Sequence, residues 1–324
     1  MRWEEPHHPG PGLQLERHFD THSPTLQHNP TMKSHLQVND PWQESGPANA
    51  NSLRWGEFGR LMRLPETRGW LFGAVVGGGI LGLLINISTA WVLPLLALLV
   101  GLGVVFWIAD RNAAREFWEI YARTRGYELG GRTRLPESTP LLTEGSDRYA
   151  TRTLDGQLAP GFFGTIALFT YEEETIGLNG RRETSYHEFT LAAAEVPECA
   201  PYIRELYVLA RRGPRLLSKL GDAFRRGRRR VSLESEELDK RFEIFVGEGQ
   251  DEVWTRRLFS PAFVVWLAES APRELTIELV DGTLVVYVPG SVEDAKGLDG
   301  MGAVAVAIAR RLLEESAQTS SGAR

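Results

Sequence analysis

WLFGAVVGGGILGLLINISTAWVLPLLALLVGLGVVFWIA, from Trp70 to Ala109, is a stretch of sequence without a single charged residue. As one straight α-helix it would be about 60 Å long, because each residue adds about 1.5 Å. The hydrocarbon core of a bilayer is about 30 Å thick, and about 20 residues span it. The length therefore predicts a transmembrane helical hairpin over residues 70–109, with helices over Trp70–Asn86 and Ala90–Ala109 joined by a polar turn.

Arginines flank this hairpin on both sides, whereas the turn contains neither Lys nor Arg. Those before it are Arg54, Arg60, Arg63 and Arg68, and those after it are Arg111, Arg115, Arg123 and Arg125. Cytoplasmic flanks of membrane helices carry an excess of Lys and Arg, so this distribution places both flanks, and both termini, in the cytoplasm. The sequence thus predicts a multi-pass protein of the cell (plasma) membrane whose first partner is the lipid bilayer.

The first predicted membrane helix carries two consecutive small-residue motifs. Gly73 and Gly77 form one G-x-x-x-G pair, and Gly78 and Gly82 form the other. Small residues at this spacing let two helices approach closely. Two hypotheses follow: these glycines form a homo-oligomer interface, or they pack the first helix against the second within the hairpin.

Composition limits the classes of function. The chain has 324 residues and a formal net charge of −6, which argues against nucleic acid as a partner. Cys199 is the single cysteine, which excludes a disulfide framework and fits a reducing cytoplasm. No cleavable signal peptide is expected, since the first apolar run begins at residue 70. The scarcity of Lys beside Arg indicates a GC-rich bacterial genome.

Residues 1–52 differ from the rest of the chain. They lack apolar periodicity and are rich in Pro, Asn and Gln, so we expect a disordered tail. Most of the histidines lie here, and a His-rich tract can bind metal, but these have no regular spacing: His7, His8, His18, His22, His28 and His35. Another hypothesis is that translation starts later, at Met32 or near Met62.

The remaining chain predicts an α+β protein in which the membrane hairpin precedes a cytosolic domain with a mostly antiparallel sheet and a C-terminal helix. The expected segments are a basic juxtamembrane segment (53–69), the hairpin (70–109), a cytosolic helix (110–127), a linker (128–147), the α+β domain (148–316) and a disordered tail (317–324).

Two β-hairpins are expected within the domain. Strand-forming runs at Phe162–Glu173 and Glu183–Ala194 flank an Asn-Gly pair, and a second pair of alternating runs flanks Asp281-Gly282. A helix is expected after Ser260-Pro261. The sequence Ser291–Asp294 has the form of a capping box and predicts the start of the C-terminal helix. We expect that helix to be interrupted early by its glycines, Gly297, Gly300 and Gly302.

A basic run extends from Arg211 to Arg230, with apolar residues at helical spacing inside it. Basic amphipathic helices of this kind lie on anionic membrane surfaces, so contact with anionic lipid head groups is one hypothesis. The candidate lipid contacts are Arg211, Arg212, Arg215, Lys219, Arg225, Arg226, Arg228, Arg229 and Arg230. The alternative is a solvated loop, or one paired with the acidic residues 234–237.

Candidate catalytic groups are few. His187 shares strand parity with apolar neighbours and could pair with Cys199, but a core histidine is the simpler interpretation. Gly300–Ala305 imitates a dinucleotide-binding motif without the βαβ unit that such a motif requires. Phosphate-loop, zincin and nucleophile-elbow motifs are absent from the sequence. We therefore expect no catalytic residues, no cofactor and no bound metal, and favour a non-enzymatic protein.

The stretch VSLESEELDKRFEIFVGEGQDEVWTRRLFSPAFVVWL, Val231 to Leu267, resembles a bacterial, largely actinobacterial, family of membrane proteins of unknown function. In that family a two-helix membrane hairpin precedes a cytosolic domain with an ESEEFxxRF element, a short strand and a P-x-x-x-x-x-L helix. Leu238 stands where the family often has Phe, and the matching residues are Glu234, Ser235, Glu236, Arg241, Phe242, Pro261 and Leu267. The resemblance implies location and architecture and brings no activity. We interpret the element as structural, with Ser235 capping a helix and Phe242 and Phe245 in the core.

These observations favour a membrane-anchored binding or scaffolding module with an unknown protein partner. One alternative is a lipid sensor of the inner leaflet that uses the basic run. Another is a membrane-associated hydrolase whose site assembles from scattered carboxylates and His187.

Overall fold

The computed structural model describes residues 49–85, 91–176, 180–211 and 227–322. Three helices come first: α1 (Ala50–Arg63), α2 (Pro65–Ile85) and α3 (Val92–Arg125). Both α2 and α3 are long and apolar enough to cross a membrane, and their apolar windows are only 11% and 6% buried. A core helix of a soluble protein buries such a surface, so the exposure suggests membrane insertion. The predicted turn lies outside the described residues.

The α2 and α3 helices pack antiparallel. A Cβ atom added to Gly78 would lie 3.1 Å from the Leu93 carbonyl oxygen and from the Pro94 backbone. A Cβ atom added to Gly101 would meet the side chain of Leu71. Gly73 and Gly77 have open space around them. The intramolecular role predicted for the glycines therefore applies to Gly78, whereas homo-oligomer formation stays a prediction.

The segment predicted as a basic juxtamembrane stretch is helical and packs on α3. Trp55 and Phe58 of α1 make edge contacts with the Phe106 ring at 5.9 and 6.0 Å, and Arg54 forms an ion pair with Asp110. The chain bends at Leu64, where α1 ends and α2 follows. One side of the last turns of the apolar run on α3 is thus covered by α1, whereas Trp107 and Ile108 remain exposed.

The described residues contain nine strands in one antiparallel sheet, in the order β1-β2-β3-β4-β9-β8-β5-β7-β6. The strands are β1 (Glu128–Gly130), β2 (Asp147–Ala159), β3 (Phe162–Ile176), β4 (Arg182–Glu195), β5 (Glu205–Ala210), β6 (Arg228–Val231), β7 (Phe242–Gly247), β8 (Thr276–Val280) and β9 (Thr283–Pro289). Both predicted hairpins are present. Asp281 and Gly282 turn the second one with φ values of 45° and 89°, as a primed two-residue turn requires.

Five further helices complete the described fold: α4 (Pro140–Thr143), α5 (Glu236–Arg241), α6 (Glu252–Leu258), α7 (Pro261–Glu269) and α8 (Ala295–Gly322). The predicted Ser235 cap is confirmed, because its hydroxyl accepts from the Leu238 amide. Phe242 and Phe245 are buried, as expected. The α8 helix packs on β2, β3, β4 and β9, and this side of the sheet is the helix face.

The start of α8 differs from the prediction. Asp294 rather than Ser291 supplies the cap, since its Oδ1 accepts from the Gly297 amide at 2.7 Å. The glycines do not interrupt the helix, because packing against the sheet stabilises it: Gly302 faces the side chains of Ile166 and Leu158.

The C-terminal tail predicted for residues 317–324 is also different, because α8 continues to Gly322. Ser316 is buried and donates to the Leu312 carbonyl, and Arg311 pairs with Glu315 one turn away at 2.6 Å. These local contacts support the last turns of the helix.

The segment predicted as a linker, residues 128–147, is packed against the sheet. It contains β1, which pairs with β2, and the short helix α4. Leu141 and Leu142 are buried in a cluster with Tyr207 and Tyr287. We call residues 131–146 the strap, and the side of the sheet that it covers the strap face.

A cleft beside the strap

The strap is fastened to the first long strand by charged contacts. Arg148 donates to the Thr143 carbonyl at 3.0 Å and forms an ion pair with Glu137. Arg134 pairs with Asp147 at 3.0 Å. These contacts hold Leu141 and Leu142 over the centre of the sheet, where apolar burial adds to the attachment.

Glu278 lies beneath the strap, in the middle of β8, and is fully buried. The Leu141 amide donates to its Oε2 at 3.0 Å, and the Tyr287 hydroxyl donates to its Oε1 at 2.8 Å. Burial raises the pKa of this carboxyl, and the two hydrogen bonds offset only part of that effect. Glu278 therefore joins the strap to the sheet through hydrogen bonds. Its carboxyl holds a proton more tightly than an exposed glutamate does.

A cleft of about 380 Å³ opens next to this position, between the strap and the β5–β6 side of the sheet. Arg228 occupies its sheet side: its Nε lies 2.8 Å from Glu205 Oε2, and its guanidinium donates to the Tyr207 hydroxyl at 2.9 Å. The guanidinium carbon also lies 4.2 Å from the centre of the Tyr207 ring. These contacts fix Arg228 within the wall. The lining residues are Glu137, Ser138, Thr139, Pro140, Thr143, Glu144, Glu205, Tyr207, Arg228 and Val280.

The cleft is richer in carboxylates than in basic groups. Glu137 and Glu144 come from the strap and Glu205 from the sheet, whereas Arg228 is the basic group of the lining. Burial, and after it the charge of Glu173, raises the pKa of Glu144. Two of these carboxylates already have basic partners, since Glu137 pairs with Arg148 and Glu205 with Arg228, so Glu144 is the carboxyl through which the lining can attract a cationic group.

The same domain is tied to the membrane hairpin through α3. Asp299 of α8 accepts from the Tyr121 hydroxyl at 2.8 Å and forms an ion pair with Arg125 at 2.7 Å. Phe117 and Trp118 are fully buried. The predicted cytosolic helix is thus a continuation of the apolar helix α3, which ends at Arg125 and is capped by Gly126 with φ 73°.

Four of the predicted lipid-contact residues lie in the described part of the chain, and each has a protein partner. Arg228 contacts Glu205, and Arg229 donates to the Gln250 carbonyl. Arg211 and Arg230 lie 3.4 and 3.8 Å from the same carboxylate, that of Glu243. The other five candidates are outside the described residues: Arg212, Arg215, Lys219, Arg225 and Arg226. Lipid contact by the basic run stays a prediction.

His187 and Cys199 are not brought together. His187 lies in the first half of β4, 3.4 Å from Glu173 Oε2 and with its ring centre 4.9 Å from that of Tyr171, whereas Cys199 follows the far end of that strand. Eight residues of strand advance about 26 Å, which separates His187 from Glu195 at the end of β4. Burial raises the pKa of the Cys199 thiol to about 11. Their placement does not form a nucleophilic pair.

The buried carboxyl of Glu278 beneath the strap was not predicted from the sequence. Glu278 alternates with Ile277 and Leu279, which is typical of a strand with one solvated face. The structure covers both faces of β8. A signal for this exists in β9, where Leu284, Val285 and Val286 are consecutive apolar residues, as in strands buried on both sides.

Comparisons with known proteins give one structural similarity and no family. No family model matches the chain, and no curated protein matches it. A solved structure, that of the mycobacterial trehalose monomycolate transport factor A, TtfA, has 13% sequence identity and a TM-score of 0.38. The similarity covers 62% of this chain and 93% of that chain. At that score it assigns neither a fold nor a function, and the family resemblance described above stays a prediction.

Proposed function

We propose that the protein is an integral protein of the cell membrane, with both termini in the cytoplasm, that serves as an anchored binding or scaffolding module. The apolar surfaces of α2 and α3 support the membrane location. The arginine-rich flanks and the uncharged turn support the orientation.

The observation that carries the proposal is the continuity of α3. One helix of 34 residues contains the apolar membrane segment and the buried residues Phe117 and Trp118. Because Tyr121 and Arg125 both bind Asp299, the domain cannot rotate freely about the helix. A domain held at a fixed orientation to the bilayer suits the positioning of a partner at the membrane surface.

The proposed partner site is the cleft beside the strap, and the proposed partner is a protein segment with basic side chains. Glu137 and Glu205 are already paired with Arg148 and Arg228, so Glu144 supplies a carboxyl and Ser138 a hydroxyl to a partner. A basic side chain of the partner complements Glu144.

A photo-crosslinking amino acid at Ser138, in the full-length protein in its native membranes, tests the partner site. The matched control carries the same group at Val265, which is 51% exposed on α7. We expect a discrete protein adduct from position 138 that is lost when Glu144→Gln is added. Equal adducts from both positions, or an adduct that survives Glu144→Gln, would contradict the proposal.

A further inference from the structure

The β3–β4 hairpin extends beyond the rest of the sheet. The pairing of β2 with β3 ends at Glu172, and that of β9 with β4 ends at Phe189. Beyond these positions, Glu173–Ile176 and Arg182–Tyr186 pair only within the β3–β4 hairpin among the described strands. We call these two segments the arm.

The arm exposes large apolar and aromatic side chains. Ile176 is 79% exposed and Tyr186 is 61% exposed. Ile176 lies opposite Arg182, and Tyr186 lies four residues further along the same strand, so both side chains share one face of the arm. By alternation from Ile166 this is the helix face, the side on which α3 and α8 pack. Isolated exposed apolar residues are common, but here they share a face with α3.

The direction of the arm follows from the contacts of α3. The Arg152 guanidinium of β2 lies over the Trp118 ring, and further along both elements Gly156 approaches Gly126 and Tyr127. The α3 helix and β2 therefore run in the same direction, away from the membrane segment. Since β3 is antiparallel to β2, it returns toward the membrane segment.

The length of the arm matches the distance to the membrane boundary. Leu168 pairs with Arg152 and so marks the level of Trp118. From Leu168 to Ile176 the strand advances about 26 Å. From Trp118 back to Val104, α3 advances about 21 Å.

Val104 lies at the same height as the basic residue that ends the apolar segment of α2. Leu71 faces Gly101, so Arg68, about one turn earlier on α2, lies near Val104. The tip of the arm thus reaches the level at which Arg68 marks the end of the apolar hairpin.

We propose that the tip of the arm, with Ile176, Arg181 and Arg182, inserts into the interfacial layer of the adjacent leaflet. This inference rests on the proposed membrane anchoring. Arg is attracted to anionic head groups. Tyr186 lies opposite Glu172 and therefore stays nearer the sheet, and Glu174 and Glu183, which lie close behind the tip, limit the depth of insertion.

Such a contact would give the domain a second attachment besides α3. Two attachments at different points of the sheet restrict tilting of the domain as well as its rotation. The arm would then set the height of the cleft above the bilayer.

Site-directed spin labelling tests the inference in the full-length protein, with Cys199→Ala, reconstituted in vesicles of phosphatidylethanolamine and phosphatidylglycerol. A nitroxide at Ile176→Cys should be several-fold more accessible to oxygen, relative to a water-soluble nickel complex, than one at Val253→Cys. Val253 is a matched control, since it is 58% exposed on α6, and α6 follows the end of β7 that lies away from the arm. Equal ratios at 176 and 253 would overturn the inference.

A third label separates this inference from the membrane anchoring on which it rests. Val100, on the apolar part of α3, is 60% exposed in the protein. A lipid-accessible label at Val100→Cys beside a water-accessible label at 176 would refute the arm contact alone. Water accessibility at both positions would refute the anchoring and the arm contact together.

Discussion

At the scale of single residues, Glu278 couples the stability of the fold to pH. Its carboxyl has an ordinary pKa of 4.5, and burial raises the pKa in the folded protein. A carboxyl with a raised folded pKa binds its proton more tightly in the native state. Its contribution to stability is therefore complete below about pH 4.5 and falls as the pH rises toward the folded value.

Replacement of Glu278 separates this effect from the loss of its hydrogen bonds. Glu278→Gln keeps an acceptor for the Leu141 amide and removes the titration. We expect its free energy of unfolding to vary less than the wild type's between about pH 5 and 8. Glu278→Ala leaves the Leu141 amide and the Tyr287 hydroxyl unpaired and should cost about 2–4 kcal/mol. Denaturant titrations across this range measure both; equal pH dependence of wild type and Glu278→Gln would contradict the assignment.

Cys199 should be chemically inert in the native state. It is fully buried, and its pKa of about 11 leaves little thiolate at neutral pH. We expect slow alkylation by iodoacetamide in the folded protein and rapid alkylation after denaturation, followed by mass spectrometry. Rapid alkylation of the native protein would show that the thiol is reachable and activated.

At the scale of elements, the hairpin glycines are distinguishable by what surrounds them. Gly78→Ile would drive a side chain into the backbone of Leu93 and Pro94, whereas Gly73→Ile meets open space. We expect Gly78→Ile to lower the melting temperature in detergent and Gly73→Ile to leave it unchanged. If Gly73 lies in an interface between two copies of the protein, Gly73→Ile should weaken energy transfer between labelled copies.

The junction of α3 and α8 is the second test at this scale. Asp299→Asn weakens the contacts with Tyr121 and Arg125, and we expect a destabilisation of about 1–3 kcal/mol. A double-mutant cycle with Tyr121→Phe measures the shared part. Additive effects of the two substitutions would show that the hydrogen bond between them does not hold the helices together.

Local signals explain which elements could be predicted from the sequence. The Asp281-Gly282 turn and the alternating strands around it depend on neighbouring residues, and both are present. The sequence predicts a linker where the structure has the strap. The reason is that Leu141 and Leu142 are far in sequence from Tyr207 and Tyr287, against which they pack. Likewise, α8 continues through Gly300 and Gly302 because tertiary packing outweighs their low helix propensity.

The candidate site was harder to predict than the fold. Glu205 and Tyr207 lie two residues apart on β5, whereas Arg228 lies on β6, and the two strands come together only in the folded sheet, so no sequence spacing links Arg228 to the other two. The basic run predicts a lipid contact for Arg228, whereas in the structure Arg228 forms an ion pair with Glu205. The polar role of Glu278 required knowledge of the strap above it.

At the scale of the whole molecule, we propose a domain that is carried by a membrane helix and lies on one side of the bilayer. The helix α3, its contacts with α8, the cleft and the arm all depend on that arrangement. If both flanks of the hairpin are cytoplasmic, the cleft meets cytoplasmic partners and the arm meets the inner leaflet.

Cysteine labelling of the full-length protein tests this claim most directly. In a Cys199→Ala background, Val253→Cys reports on the domain and Ser88→Cys on the predicted turn. Using a membrane-impermeant maleimide, we expect Ser88→Cys to react in intact spheroplasts and Val253→Cys to react only after permeabilisation. Reaction of Val253→Cys in intact spheroplasts would place the domain outside the cytoplasm and contradict the account.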